Sequence, residues 1–226
     1  MGRATQLGGA VGVLKMTPGS SDRKRWDFSR FGRALLYASE LHAAQRRKGS
    51  DIPYLGHLLG VASIVLDYGG NEDEAIAALL HDAIEDQGGD ATRQEIRRRF
   101  GDQVTEIVDG CTDADQVPKP PWGPRKRAYV ARLRHEPKSV LMVSAADKLH
   151  NARAVLADYR VMGDSLWSRF TGGKEGTLWY YRELVKAYRE AAAPAGLTEE
   201  LDRVVSELER LAGIERSRES RVEGQK

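Results

Sequence analysis

Residues 75–86 read AIAALLHDAIED, so a run of six apolar residues passes directly into a segment with four ionisable side chains. On one continuous helix, His81 and Glu85 would share a face, and Asp82 and Asp86 would share the neighbouring face. Burying so many ionisable groups is costly unless a partner neutralises them, and a divalent cation does so directly. The stretch therefore predicts a helical protein with a metal site at the end of a buried helix.

The flanking sequence repeats the helical pattern, because apolar residues recur three and four positions apart. No period-two alternation of useful length occurs, so we expect essentially no sheet. The sequence predicts an all-α fold, a single compact helical bundle. The segments with this spacing are 28–41, 58–66, 75–84, 96–100, 104–108, 140–156, 178–188 and 201–211.

Residues that begin or end helices divide these segments. Gly69-Gly70 is typical of a helix end, and Asn71 with Glu74 has the spacing of a capping box at the next helix start. Residues 118–121, which include three prolines, predict a loop. The glycine-rich stretch 172–176 predicts a mobile loop at the mouth of a pocket.

Length and composition favour one globular domain. We expect residues 1–24 to be a disordered arm, 25–213 the folded domain and 214–226 a solvated tail. Lys and Arg total 35 against 33 Asp and Glu, a net charge of +2 that gives no reason to expect nucleic-acid binding. The single Cys111 excludes an intrachain disulfide framework and a cysteine-rich zinc site. No apolar run is long enough for a membrane-spanning helix, and we expect a cytoplasmic protein.

Two further segments carry candidate metal ligands. Asp147 emerges from an apolar stretch with Asn151 one turn later, and His57 opens an amphipathic helix. Each has an ordinary alternative, since a histidine on an apolar helix can be a core residue and the Asp147–Lys148 pair can be a salt bridge. Together with residues 81–86 they indicate a site of imidazole and carboxylate ligands, which suits Mn, Fe or Zn better than Ca.

The basic and aromatic residues leave two interpretations open. Arg46, Arg47, Lys48 and Lys148 can hold a polyphosphate, although the first three can equally form a solvated basic face. A second set of side chains either stacks on a nucleobase or belongs to the core. These aromatic residues are Trp122, Trp179 and Tyr181.

The order of these motifs resembles the HD phosphohydrolase superfamily. More narrowly, it resembles the hydrolase domain of RelA/SpoT proteins and its stand-alone relatives, the small alarmone hydrolases and the metazoan SpoT homologue. The resemblance covers residues 38–153, about half of the chain. The motifs that carry it are LHAAQRRK (41–48), PYLGH (53–57), ALLHDAIED (78–86), FG (100–101) and ADKLHNAR (146–153).

The resemblance implies an enzyme that hydrolyses the 3′-pyrophosphate of ppGpp, or of its adenine counterpart ppApp, to a nucleoside diphosphate and pyrophosphate. It implies one divalent ion, Mn2+, and a small nucleotide as the substrate. Glu85 and Asp86 would serve the water nucleophile. The implied metal ligands are His57, His81, Asp82 and Asp147, and the candidate substrate contacts are Arg46, Arg47, Lys48, Lys148 and Asn151.

Three alternatives remain at this point. The same site could act on another nucleotide, such as the 2′-phosphate of NADPH or a nucleoside phosphate. The protein could be a non-catalytic nucleotide sensor, although Glu85 and Asp86 argue against a mere binder. The near-neutral charge balance disfavours a hydrolase that acts on nucleic acid.

Overall fold

The computed structural model describes residues 26–114 and 118–213, and within these ranges the chain is helical with no strand. One isolated bridge joins Arg46 to Pro53. The α-helices are α1 (Phe28–Leu41), α2 (Leu55–Asp67), α3 (Glu72–Leu80), α4 (Ala83–Asp86), α5 (Asp90–Phe100), α6 (Asp102–Cys111), α7 (Trp122–Leu133), α8 (Lys138–Met162), α9 (Gly173–Glu190) and α10 (Ala195–Leu211), and a 3-10 helix covers Gly163–Arg169. The predicted all-α fold is confirmed.

Helix α3 forms the centre of the bundle. Every residue from Ala75 to Leu80 is fully buried, and the helix packs against α1, α2, α6 and α8. Its start is the predicted capping box: Asn71 Oδ1 accepts from the Glu74 amide at 3.0 Å, and Glu74 Oε2 accepts from the Asn71 amide at 2.8 Å. A helix this apolar on all sides is stable only when other helices surround it, and this burial places its C-terminal end inside the protein.

Helix α8 is the second central element and is 25 residues long. It packs against α2, α3, α6, α9 and α10, and its first half is buried without interruption from Val140 to Asp147. The carboxylate of Asp147 is thus carried to the depth of the core on a rigid helix.

The structure corrects the expectation of one continuous helix through residues 75–86. Helix α3 ends at Leu80, His81 and Asp82 form a turn, and α4 begins at Ala83. Adjacent residues of a regular helix point about 100° apart. The break lets both side chains reach one point, with His81 Nε2 2.9 Å from Asp82 Oδ2.

The glycine-rich stretch 172–176 also differs from its prediction. Gly172 is the N-cap of α9, and residues 173–176 are the first turn of that helix rather than a loop. Trp122, the first residue of α7, lies against it, since a Cβ atom added at Gly172 would fall 2.6 Å from Cη2 of Trp122. Tyr181 is buried and Trp179 is about one third exposed.

Two predicted segments, the arm 1–24 and the tail 214–226, lie outside the described residues. The boundaries of the folded domain at 25 and 213 stay predictions of the sequence. Among the described residues, no helix has the length and apolar character needed to cross a membrane.

Candidate metal centre

Three parts of the bundle meet at one buried point. Helix α2 contributes His57 from its first turn, the turn after α3 contributes His81 and Asp82, and the middle of α8 contributes Asp147. Ligand atoms of His57, His81 and Asp147 all lie within 4.8 Å of one another. Both histidines are 2% exposed and Asp147 is 5% exposed, so this cluster belongs to the interior.

The carboxylate oxygens face the two imidazoles across a small gap. Oδ1 of Asp147 lies 3.2 Å from His57 Nε2 and 3.5 Å from His81 Nε2. Oδ2 of Asp82 lies 2.9 Å from His81 Nε2 and 3.7 Å from His57 Nε2. All four side chains predicted as ligands are therefore brought together.

Among the described residues, the two Nε2 atoms have no hydrogen-bond partner of acceptable geometry, although both are buried. For His81 the other ring nitrogen, Nδ1, donates to the carbonyl oxygen of Ala78 at 2.8 Å. That bond leaves the Nε2 lone pair directed into the cluster. Buried polar atoms without partners are rare in folded proteins, and two lone pairs opposite two carboxylates fit a divalent cation.

The charges of the cluster agree with this fit. Burial opposes the ionised form of Asp147, but the ammonium of Lys148 and the two imidazoles that face Oδ1 hold its pKa well below the ordinary value. Burial also opposes protonation of His81, yet the carboxylates of Asp82 and Asp147 outweigh it and raise the pKa of His81 well above its ordinary value. A cation at this point would replace that proton.

Tyr54, the residue just before α2, supports the candidate ligands. Its hydroxyl donates to Oδ2 of Asp82 at 2.5 Å. Burial, with the charge of Asp82, raises the pKa of the Tyr54 hydroxyl far above its usual value, so the hydroxyl stays protonated and keeps donating. The bond fixes the orientation of the Asp82 carboxylate, as outer hydrogen bonds commonly do for metal ligands.

The acidic pair on α4 lies beside the cluster. Oε1 of Glu85 accepts from Lys119 Nζ at 2.6 Å, and Oε2 accepts from the backbone amide of Asp113 at 3.1 Å. Oδ2 of Asp86 accepts from Gln45 Nε2 at 2.8 Å. Burial and the charge of Asp82 raise the pKa of Asp86.

The predicted substrate contacts occupy different environments. Arg47 donates to Oδ1 of Asn151 at 3.3 Å, and Asn151 Nδ2 donates to Oδ1 of Asp147 at 2.5 Å, so this pair adjoins the ligands. Lys148 forms an ion pair with Asp147. Arg46 is exposed and bonds the carbonyls of Ala43 and Gln45 in its own turn, and Lys48 is exposed.

Comparison with known proteins agrees with this geometry. Residues 34–177 match the family described as the HD domain, which is more than half of the chain. The chain belongs to the HD-domain family.

The similar HD proteins include stand-alone and long forms. The guanosine-3′,5′-bis(diphosphate) 3′-pyrophosphohydrolase MESH1 of Homo sapiens is 34% identical over 176 residues, which is 73% of this chain and 94% of that protein. A probable GTP pyrophosphokinase of Mycobacterium leprae is 38% identical over 125 residues, 54% of this chain but 15% of that protein. The chain therefore corresponds to a small part of that long relative.

A solved structure supports the same HD fold. It is described as a metazoan ortholog of SpoT that hydrolyzes ppGpp and plays a role in starvation responses. The two chains superpose with a TM-score of 0.68 at 26% identity, covering 84% of this chain and 99% of the other.

Several residues of the HD site were not predicted from the sequence. Tyr54, Gln45 and His150 lie inside the quoted motifs, but their contacts with Asp82, Asp86 and His57 depend on how distant helices meet. Lys119 lies in the predicted proline-rich loop, 34 positions from Glu85. Its position between two prolines marks it as a loop residue, but no sequence feature places that loop beside the acidic pair.

Proposed function

We propose that this HD protein is a metal-dependent phosphohydrolase that removes the 3′-pyrophosphate of an alarmone nucleotide, ppGpp or ppApp. Its products are the nucleoside diphosphate and pyrophosphate. The observation that carries the proposal is the pair of buried, unpartnered Nε2 atoms of His57 and His81 opposite Asp82 and Asp147, with an acidic pair on the following turn. A nucleotide-binding protein without catalysis has no use for such a combination.

The ligands in this proposal are His57, His81, Asp82 and Asp147, which hold one divalent cation, Mn2+. Two nitrogen and two oxygen donors suit a mid-row divalent metal. Such a cation lowers the pKa of a bound water and polarises a phosphoryl oxygen. Tyr54 and Lys148 stabilise the two carboxylates in their ligating orientations.

The acidic pair serves the attacking water. The oxygen of water adds to the 3′ phosphorus, the bond from that phosphorus to the ribose 3′ oxygen breaks, and the ribose oxygen regains a proton. Glu85 orients the water and takes its proton, because both of its oxygens are fixed by Lys119 and Asp113 beside the metal ligands. Asp86, whose Oδ2 accepts from Gln45, lies next to Glu85 on the same side of the proposed metal ligands.

The nucleotide lies on the other side of the ligands, toward Arg47 and Asn151. The guanidinium of Arg47 provides a planar donor for a phosphate, and the amide of Asn151 is already aligned by Asp147. Lys148 adds a buried positive charge next to the metal ligands. Arg46 and Lys48 stay proposals for contacts made only with bound substrate.

The relatives support the substrate class. MESH1, of which the chain covers 94%, is named for hydrolysis of the 3′-pyrophosphate of guanosine-3′,5′-bis(diphosphate), and the structural relative is described as hydrolysing ppGpp. A cytoplasmic location and the absence of nucleic-acid and membrane partners stay predictions of the sequence.

Incubation of the purified protein with Mn2+ and ppGpp, followed by anion-exchange analysis, tests the proposal. GDP and pyrophosphate should accumulate, and EDTA should prevent their appearance. A parallel reaction with ppApp measures base preference. Failure to turn over either alarmone while Mn2+ binding is demonstrated would overturn the substrate assignment, and NADPH and nucleoside phosphates would then be tried.

A further inference from the structure

We propose that His150 is a positioning residue that orients the ring of His57 so that its Nε2 lone pair faces the cation. The inference concerns the metal site of the proposed function and is independent of which nucleotide is hydrolysed.

The contact that suggests this role joins two imidazoles. Nδ1 of His57 lies 2.9 Å from Nδ1 of His150, and the ring centroids are 4.8 Å apart at an angle of 60°. Only one of these nitrogens can carry the shared proton. His57 must keep its Nε2 lone pair toward Asp82 and Asp147, so its own proton belongs on Nδ1 and His150 must accept it.

The ring of His81 is oriented in a different way from the ring of His57. Its Nδ1 proton is fixed by the carbonyl of Ala78, and a backbone carbonyl can only accept. The orientation of His81 is therefore set by the main chain of α3. The orientation of His57 depends on a side chain from α8, 93 positions away in the sequence.

Helix α2 provides the space for this side chain. Gly60 lies one turn after His57, and a Cβ atom added there would overlap Nε2 and Cδ2 of His150. A glycine inside a helix costs about 0.5–1 kcal/mol relative to alanine. The close approach of the His150 ring explains why a glycine stands at this position. Helix α2 therefore carries both His57 and the glycine that makes room for His150.

The first test is the affinity of the full-length protein for Mn2+ without substrate, measured by calorimetry. Loss of a hydrogen bond to a ligating histidine typically weakens metal binding by about 10–100-fold. We expect this loss for His150→Ala and for Gly60→Ala. His150→Gln should recover most of the affinity, because its amide oxygen can accept from Nδ1 of His57.

Two comparisons separate positioning from packing. Gly32→Ala is the matched control, since a Cβ atom at Gly32 of α1 meets no atom of the described residues within 4 Å, and it should leave the affinity unchanged. In the His150→Ala background, Gly60→Ala should cause no further loss, because the ring that it displaces is gone. Additive losses in the double variant would show that Gly60 acts independently of His150.

The second test follows the proton that the two rings share. With Zn2+, a diamagnetic cation, bound at Nε2, Nδ1 of His57 must carry its proton. We expect the NMR signal of that proton to exchange slowly with water in the unmodified protein, where His150 accepts it, and rapidly in His150→Ala. Unchanged exchange together with an unchanged Mn2+ affinity in His150→Ala would overturn the inference, whereas lack of alarmone turnover alone would bear only on the substrate.

Discussion

The ammonium of Lys119 lies 2.6 Å from Oε1 of Glu85. A lysine from the proline-rich loop thus holds the first carboxylate that follows the turn of His81 and Asp82. The other oxygen of Glu85 accepts from the Asp113 amide. Both oxygens are thus fixed by groups outside α4. Lys119 is also 3.8 Å from Asp86, which places one positive charge between the two members of the acidic pair.

Replacement of Glu85 by glutamine should separate metal binding from turnover. Glutamine keeps an oxygen for Lys119 or the Asp113 amide but cannot take a proton from water. We expect kcat to fall by about 10²–10⁴-fold, the usual range for loss of a general base. Steady-state kinetics with ppGpp and a Mn2+ titration check the two properties, and full activity of Glu85→Gln would contradict the role given to this residue.

Removal of a proposed metal ligand should abolish both Mn2+ binding and turnover. An ion that binds only the folded state adds about 2.7 kcal/mol to the free energy of unfolding when its concentration is 100 times Kd. We therefore expect Mn2+ to raise the melting temperature of the unmodified protein and to leave that of Asp82→Ala unchanged. Differential scanning fluorimetry with Mn2+ and with EDTA measures this. A metal-dependent rise in Asp82→Ala would exclude Asp82 from the ligand set.

Much of the bundle could be predicted because apolar spacing is encoded locally. The spacing in residues 75–84 indicates a buried helix without reference to the rest of the chain. The four candidate ligands could be named because the order of their motifs resembles the HD superfamily, and Asp147 stands out by itself because a carboxylate in an apolar segment is unusual. The break at His81 and Asp82 was missed because the helical pattern continues through it, and only convergence of both side chains on one point requires the turn.

Contacts between distant segments could not be predicted. Nothing near Lys119 in the sequence identifies Glu85 as its partner, and nothing near His150 identifies His57 or Gly60. Such pairs depend on how α2, α4 and α8 pack and on the path of the loop before α7. The glycines of residues 172–176 were interpreted as loop formers, whereas Gly172 and Gly176 make room for the Trp122 ring at the start of α9.

Gly172 should not tolerate a larger side chain, because the ring of Trp122 packs directly against it. Gly172 has right-handed backbone angles that suit alanine, so a loss in Gly172→Ala would come from the 2.6 Å contact with Trp122. We expect a loss of about 1–3 kcal/mol in the free energy of unfolding, as for overpacking. Urea denaturation measures it.

Two further variants control this prediction. Gly123→Ala is the matched control, since among the described residues its Cβ would meet only the end of the Arg127 side chain at 3.5 Å. In a Trp122→Ala background the Gly172 substitution should cause little further loss. An equal loss with and without Trp122 would show that the glycine is needed for another reason.

Asp86→Asn should stabilise the metal-free protein at neutral pH. Burial and the neighbouring charge of Asp82 raise the pKa of Asp86 in the folded state. A carboxyl group with a raised folded pKa stabilises the protein below its unfolded pKa, about 3.9, and loses that contribution as the pH rises through the folded value. Asparagine stays neutral throughout and keeps an oxygen for Gln45, so its advantage should be small near pH 4 and should increase toward pH 7.

Urea denaturation of both proteins in EDTA across this pH range measures the difference. Saturating Mn2+ should reduce the advantage of asparagine, because a cation beside Asp82 offsets the charge that disfavours the Asp86 carboxylate. If Asp86 assists the attacking water, Asp86→Asn should also lose turnover. The Asp86 carboxylate would then lower the stability of the folded protein but be needed for catalysis. A stability difference that is constant with pH would mean that Asp86 is not a destabilised carboxylate in the folded protein.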